Sequence, residues 1–259
     1  MTDTAPFITR VSRTRGSLQR LVFVSGFHTS GYQTEKLGQW LRAFRRGGWR
    51  GSVHWLWWDS CESHERFTTL WSALEWAKAN RKAESAGRLL PQLLRGLRGS
   101  ADITLLGHSL GTKVIFAGLL SLGAEHDLPL RDAVFLAGAV HADREEDWAT
   151  AAARLSGRLI NVVNERDRAL GTRYFVGELL RLSPGKAAGR AGVSPDAAPG
   201  SLINLDVTET LDTESHTAVY RARLDQVLGW LWSIQRRRTL LLAWGAAAVA
   251  AAAVLVALL

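Results

Sequence analysis

The sequence predicts an α/β protein, a mostly parallel sheet with helices on both faces, followed by a C-terminal transmembrane helix. Three observations predict it. Short apolar strands alternate with helical stretches along most of the chain, the pattern of a parallel sheet buried on both faces. Polar residues able to do chemistry fall just after strand C-terminal ends, where such sheets place their sites. An uncharged run of aliphatic residues closes the chain behind three arginines.

Taken in order, residues 1–17 are polar and expected to be loose, with no apolar stretch that would suit a signal peptide. Residues 18–235 form the α/β domain, a length sufficient for one sizeable core. Leu21 to Val24 is the first strand and runs into the glycine-rich turn Gly26-Phe27-His28. Glu35 to Phe44 places Leu37, Trp40, Leu41 and Phe44 on one helical face. Val53 to Trp58 is a second strand, rich in aromatic and β-branched residues. Two helices are expected next, Phe67 to Asn80 and Ala83 to Leu97, with a break or kink near Pro91. Trp55, Trp57, Trp58, Trp71 and Trp76 read mainly as core aromatics.

Ile103 to Leu106 is an apolar strand that enters Gly107-His108-Ser109-Leu110-Gly111 and then a helix. Gly-x-Ser-x-Gly at a strand-to-helix turn lifts the serine hydroxyl above the sheet edge, and its glycines remove Cβ atoms where the backbones would collide. The helix N-terminus adds partial positive charge where an oxyanion would develop. Further strands follow at Ala133 to Ala137, Leu159 to Val163 and Leu202 to Val207, with a helix over Asp147 to Leu155. Gly185 to Gly200 lacks periodicity and reads as a mobile loop, and Ala218 to Ile234 as the last helix.

A serine nucleophile needs a base, and the base needs an orienting carboxylate. Sites built on this turn supply them in chain order Ser, Asp/Glu, His. His216 is the histidine that follows the last strand. Asp167, just after the penultimate strand, is the expected acid, with Glu165 and Asp143 in reserve; Asp206 and Asp212 are less well placed. The amides of Leu110 and Phe27 are the expected oxyanion donors. His108 is expected to pack beneath the turn, while His54, His64, His126 and His141 read as surface or loop residues. No metal-ligand spacing or phosphate-binding glycine loop appears, so neither metal nor cofactor is expected. The single Cys61 excludes an intrachain disulfide.

The formal charge of +8 is carried by scattered arginines without a nucleic-acid-reading motif, so an anionic membrane surface is the expected partner and nucleic acid is not. Residues 236–259 comprise the basic flank Arg236-Arg237-Arg238 and the uncharged segment Thr239 to Leu259. As a helix that segment spans about 30 Å, enough for one membrane crossing. The arginines keep the bulk of the chain on the cytoplasmic side by the positive-inside rule.

The stretches GHSLGTKVIF, GRLINVVNERDRALG and INLDVTETLDTESHTAVY together resemble a little-characterised α/β-hydrolase family, the transmembrane and coiled-coil domain protein 4 group. The resemblance runs from about Leu21 to Trp232 and implies an α/β-hydrolase fold with Ser109, Asp167 and His216 at the triad positions. The expected function is a membrane-anchored serine hydrolase acting on a small-molecule or lipid ester. Two alternatives stay open: a catalytically inactive hydrolase-fold scaffold at the membrane, and an acyltransferase using the same triad.

Overall fold

The computed structural model describes residues 5–13, 19–26, 34–60, 69–97, 101–216 and 223–229. Seven strands make one sheet: β1 (Phe7–Ser12), β2 (Gln19–Val24), β3 (Ser52–Trp57), β4 (Asp102–His108), β5 (Leu130–Leu136), β6 (Leu159–Val163) and β7 (Leu202–Asp206). Their spatial order is β1-β3-β2-β4-β5-β6-β7. Only β1 runs antiparallel to its neighbour. β4, which leads into Ser109, therefore lies mid-sheet, and its residues from Ile103 to His108 are all buried.

Helices cover both faces. Phe23 on β2 pairs in register with Leu106, and Leu106 with Val134, so Phe135 points to the opposite side. Phe23 packs against Trp40 and Phe44 of α1 (Thr34–Arg46), with ring centroids 4.7 and 5.2 Å away. Phe135 meets Phe116 of α3 (Leu110–Leu120) and Trp148 of α4 (Glu145–Ala153). α2 (Thr69–Arg95) packs along α3. With a parallel sheet, a nucleophile-type turn at its centre and helices on both faces, this is an α/β-hydrolase fold.

Several expectations change. The N-terminal region is not wholly loose: Phe7–Ser12 is the edge strand β1. Phe7 stacks on Trp57, and Ile8 and Val11 pack against the core, which outweighs the polar composition around them. The two expected helices are one, α2, unbroken at Arg81-Lys82 and containing Pro91. Arg81 is exposed, and the half-buried Lys82 forms an ion pair with Asp59 beyond β3 at 2.7 Å, so the polar pair is accommodated within the helix and does not mark a loop. Leu90 and Leu94 bury the turn around the proline.

The Gly185 to Gly200 stretch is packed and carries two short helical turns, α6 (Ala188–Ala191) and Pro195–Ala197. Side-chain amides of the neighbouring strands hold its backbone: Asn161 donates to the Ala188 carbonyl at 2.9 Å and Asn204 to that of Val193 at 2.6 Å. His54 and His141 are buried, not surface residues. Trp55, Trp58 and Trp76 are core residues as expected.

Beyond β6, a π-helical turn (Leu170–Tyr174) runs into the short α5 (Phe175–Leu180). α5 turns Glu178 inward and leaves Phe175, Val176 and Leu179 largely exposed. Among the described residues no helix is long and apolar enough to cross a membrane. The Thr239 to Leu259 segment lies outside the described residues, as do Phe27, His28, Cys61 and His64.

His54 is a stability sensor in this sheet. Burial, then the nearby Arg20 and Arg10, push its pKa from 6.5 down to about 4. Between those values the unfolded chain takes up a proton that the folded one refuses, so this contribution is complete above pH 6.5 and is lost as pH falls toward 4. A His54→Gln variant is expected to show a flatter urea midpoint than the parent protein over that pH interval.

Candidate active site

Ser109 sits at the β4–α3 turn with φ 55° and ψ −127°, a left-handed conformation for a residue with a Cβ. Such strain costs about 1–3 kcal/mol and persists only where the surroundings enforce it. Here they do. A Cβ at Gly111 would run into the Val24 carbonyl and stand 2.7 Å from that of Ser25. Gly26 approaches from the end of β2, where an added Cβ would lie 2.6 Å from the Ser109 Cβ. The Ser109 N–H donates to the Leu136 carbonyl at 2.9 Å, tying the turn to β5. Thr112 locks the first turn of α3: its hydroxyl donates to the Ser109 carbonyl at 2.6 Å and accepts from the Ala139 N–H at 3.0 Å.

The structure brings three of the expected residues together. The Ser109 Oγ lies 2.8 Å from His216 Nε2, and His216 Nδ1 lies 2.7 Å from Asp167 Oδ2. Ser109 and Asp167 are buried, whereas the His216 side chain retains 18% exposure. The second carboxylate oxygen of Asp167 accepts from the Leu170 N–H at 3.0 Å, so the acid is held on both sides. The segment carrying His216 is pinned by residues after β6. The Asn164 amide donates to the Thr213 carbonyl at 3.0 Å, and Arg168 pairs with Glu214 at 3.0 Å. A further bond joins the His216 carbonyl to His108 Nε2 at 3.0 Å.

Leu110 is the buried first residue of α3. First-turn amides have no helix carbonyl to bond, so its N–H is one an oxyanion can take. The alternative acids lie elsewhere: Asp212 pairs with Arg166, Glu165 is exposed, and Asp143 is 3.9 Å from His141. Asp206, at the end of β7, accepts from the N–H of Thr208, the first residue of α7 (Thr208–Leu211). Among the described residues no group of three or more His, Cys, Asp or Glu side chains could hold a metal ion.

A buried charge network behind α3 escaped the sequence reading. Glu178 is fully buried and accepts from His141 Nε2 at 2.9 Å, from Asn80 and from Arg181. Lys113, one turn past Ser109, pairs with Glu84 at 3.2 Å and approaches Glu178 at 3.9 Å. Burial alone would raise the Glu178 pKa, but the hydrogen bond from His141 and the charges of Lys113 and Arg181 hold it below the ordinary carboxylate value. Burial pushes Lys113 down despite both carboxylates. The His141–Glu178 contact spans 37 positions, and no spacing in the sequence announces it. A cavity of about 380 Å³ on this side of α3 is lined by Lys113, Phe116, Val140, His141 and Arg144, and by none of Ser109, Asp167 or His216.

Comparison with known proteins locates the chain among relatives. A family model described as protein of unknown function (DUF726) matches residues 72–231. The rice (Oryza sativa subsp. japonica) "Transmembrane and coiled-coil domain-containing protein STS1" is 34% identical over 156 residues, 60% of this chain and 22% of the relative. "Probable lipase MIL1" of Saccharomyces cerevisiae is 31% identical over 139 residues, 53% of this chain and 12% of the relative. The chain thus spans under a quarter of the length of these relatives. Among solved structures, esterase PE8 aligns over 89% of this chain and 100% of its own, with 18% identity and a TM-score of 0.48.

Two outcomes follow from the packing. Gly111→Ala would drive a methyl group into the β2 backbone and is expected to destabilise the fold by about 3 kcal/mol or more in urea denaturation. Glu178→Gln would leave Lys113 and Arg181 sharing Glu84 alone, with an expected loss of about 3 kcal/mol by the same measurement.

Proposed function

From a chain that belongs to the DUF726 family, itself of unknown function, and from its own geometry, we propose a serine hydrolase that cleaves an ester through an acyl-enzyme. The single observation that carries this reading is the hydrogen-bonded chain Ser109 Oγ, His216 Nε2, His216 Nδ1, Asp167 Oδ2. The Ser109 oxygen attacks the substrate carbonyl while His216 Nε2 takes its proton. Asp167 keeps the Nδ1–H pointing toward itself and stabilises the imidazolium that forms. The Leu110 amide, with that of Phe27 as its expected partner, holds the developing oxyanion; losing one such donor commonly costs about 3 kcal/mol. His216 then returns the proton to the leaving alcohol. Water, activated by the same imidazole, releases the acid and regenerates the serine.

A lipid or acyl ester is the proposed substrate class. Its support is the "probable lipase" name of one relative and the membrane-protein names of others, from Schizosaccharomyces pombe and Caenorhabditis elegans. The proposed location follows: a single-pass anchor at Thr239 to Leu259 behind Arg236-Arg237-Arg238, with the catalytic domain on the cytoplasmic side. The finer family assignment, to the transmembrane and coiled-coil domain protein 4 group, belongs with this proposal; a rice relative of similar name supports it.

Ser109→Ala is expected to abolish turnover of p-nitrophenyl butyrate and labelling by a fluorophosphonate, with an unchanged thermal midpoint. Turnover persisting at the parent rate in that variant would end the serine-nucleophile reading.

A further inference from the structure

The contact between His108 and the carbonyl of His216 has no part in the chemistry just described. It nonetheless joins the nucleophile's strand to the segment carrying the base. We infer that His108 is a positioning residue for His216, an inference that rests on the hydrolase reading above. His108 ends β4, next to Ser109, and its side chain is buried. Its Nε2–H donates to the His216 carbonyl at 3.0 Å, since a carbonyl can only accept.

The ring is also wedged in place. Its centroid lies 5.4 Å from that of Trp40 on α1 and 5.3 Å from that of the His216 imidazole. His216 is therefore gripped from two directions. Asn164 and Arg168 hold residues 213 and 214 from the β6 side, and His108 holds residue 216 itself from the β4 side. The β6 contacts fix the approach of the segment. Among the described residues, the His108 contact is the one that ties the backbone of residue 216 to β4, the strand leading into Ser109, and with the Asp167 bond it supports the 2.8 Å separation of Nε2 from Oγ.

A misplacement on the order of 1 Å at a proton-transferring group can cost about a hundredfold in rate without weakening substrate binding. His108 touches neither substrate nor reacting atoms, so its loss should appear in kcat and not in KM.

The test uses the full chain with p-nitrophenyl butyrate. His108→Leu is expected to lower kcat about a hundredfold with KM within about twofold. His108→Gln, whose amide nitrogen reaches where Nε2 stood, is expected to recover kcat to within about tenfold of the parent. If His108→Leu fails to fold, His108→Asn decides the matter, because its amide keeps polarity but stops short of the carbonyl. The low-field proton resonance of the His216–Asp167 hydrogen bond gives a readout that needs no turnover. It is expected to be sharp in the parent and in His108→Gln, and broadened or lost in His108→Asn. A folded His108→Leu or His108→Asn variant with parental kcat and an unaltered resonance overturns the inference. A parent protein that neither turns over ester nor accepts the fluorophosphonate overturns the hydrolase reading instead, and the resonance still decides whether His108 places the imidazole.

Discussion

A serine held in a left-handed backbone conformation is the constraint on which the rest of this structure depends. Ser109 can occupy φ 55° only because the β2 backbone presses against Gly111, Gly26 lies against the serine, and β5 takes the Ser109 N–H. Each of those neighbours requires β4 to lie between β2 and β5, which the parallel register provides. The sheet is thus the device that holds one hydroxyl at a strained turn. The segments after β6 and β7 deliver the carboxylate and the imidazole to the same rim.

How much of this could be read beforehand depended on how local the signal was. The glycine–serine spacing between an apolar strand and a helix is contained in five residues. The meeting of Ser109, Asp167 and His216 was legible because topology ranks candidates by which strand they follow. Other features are set by contacts between distant residues. β1 is a short run of aromatic and β-branched residues, Phe7, Ile8, Thr9 and Val11, whose strand is completed by distant partners: Phe7 finds Trp57 and Arg45 donates to Ser12. The Gly185 to Gly200 stretch has no pattern of its own and takes its shape from Asn161 and Asn204. Arg81-Lys82 looked like a break since polarity alone cannot distinguish a loop from a polar stretch within a long helix.

The charge network behind α3 shows the same limit. Glu178 and Lys113 would each be costly to bury alone, and they are tolerated as partners within a set that includes Glu84, Arg181, His141 and Asn80. Those residues come from α2, α3, the segment after β5, and α5 with its C-terminal end. The network therefore ties the region following Asp167 to the helix following Ser109.

The outermost strand has a different kind of consequence. β3 carries Trp55 and Trp57 and would, if bare, offer another molecule an open hydrogen-bonding ladder. β1 occupies that ladder in the antiparallel sense and brings Arg10 and the serine-terminated end of the strand to the periphery. Six residues near the start of the chain, Phe7–Ser12, thereby become the outermost ladder on that side of the sheet in place of the tryptophan-bearing β3.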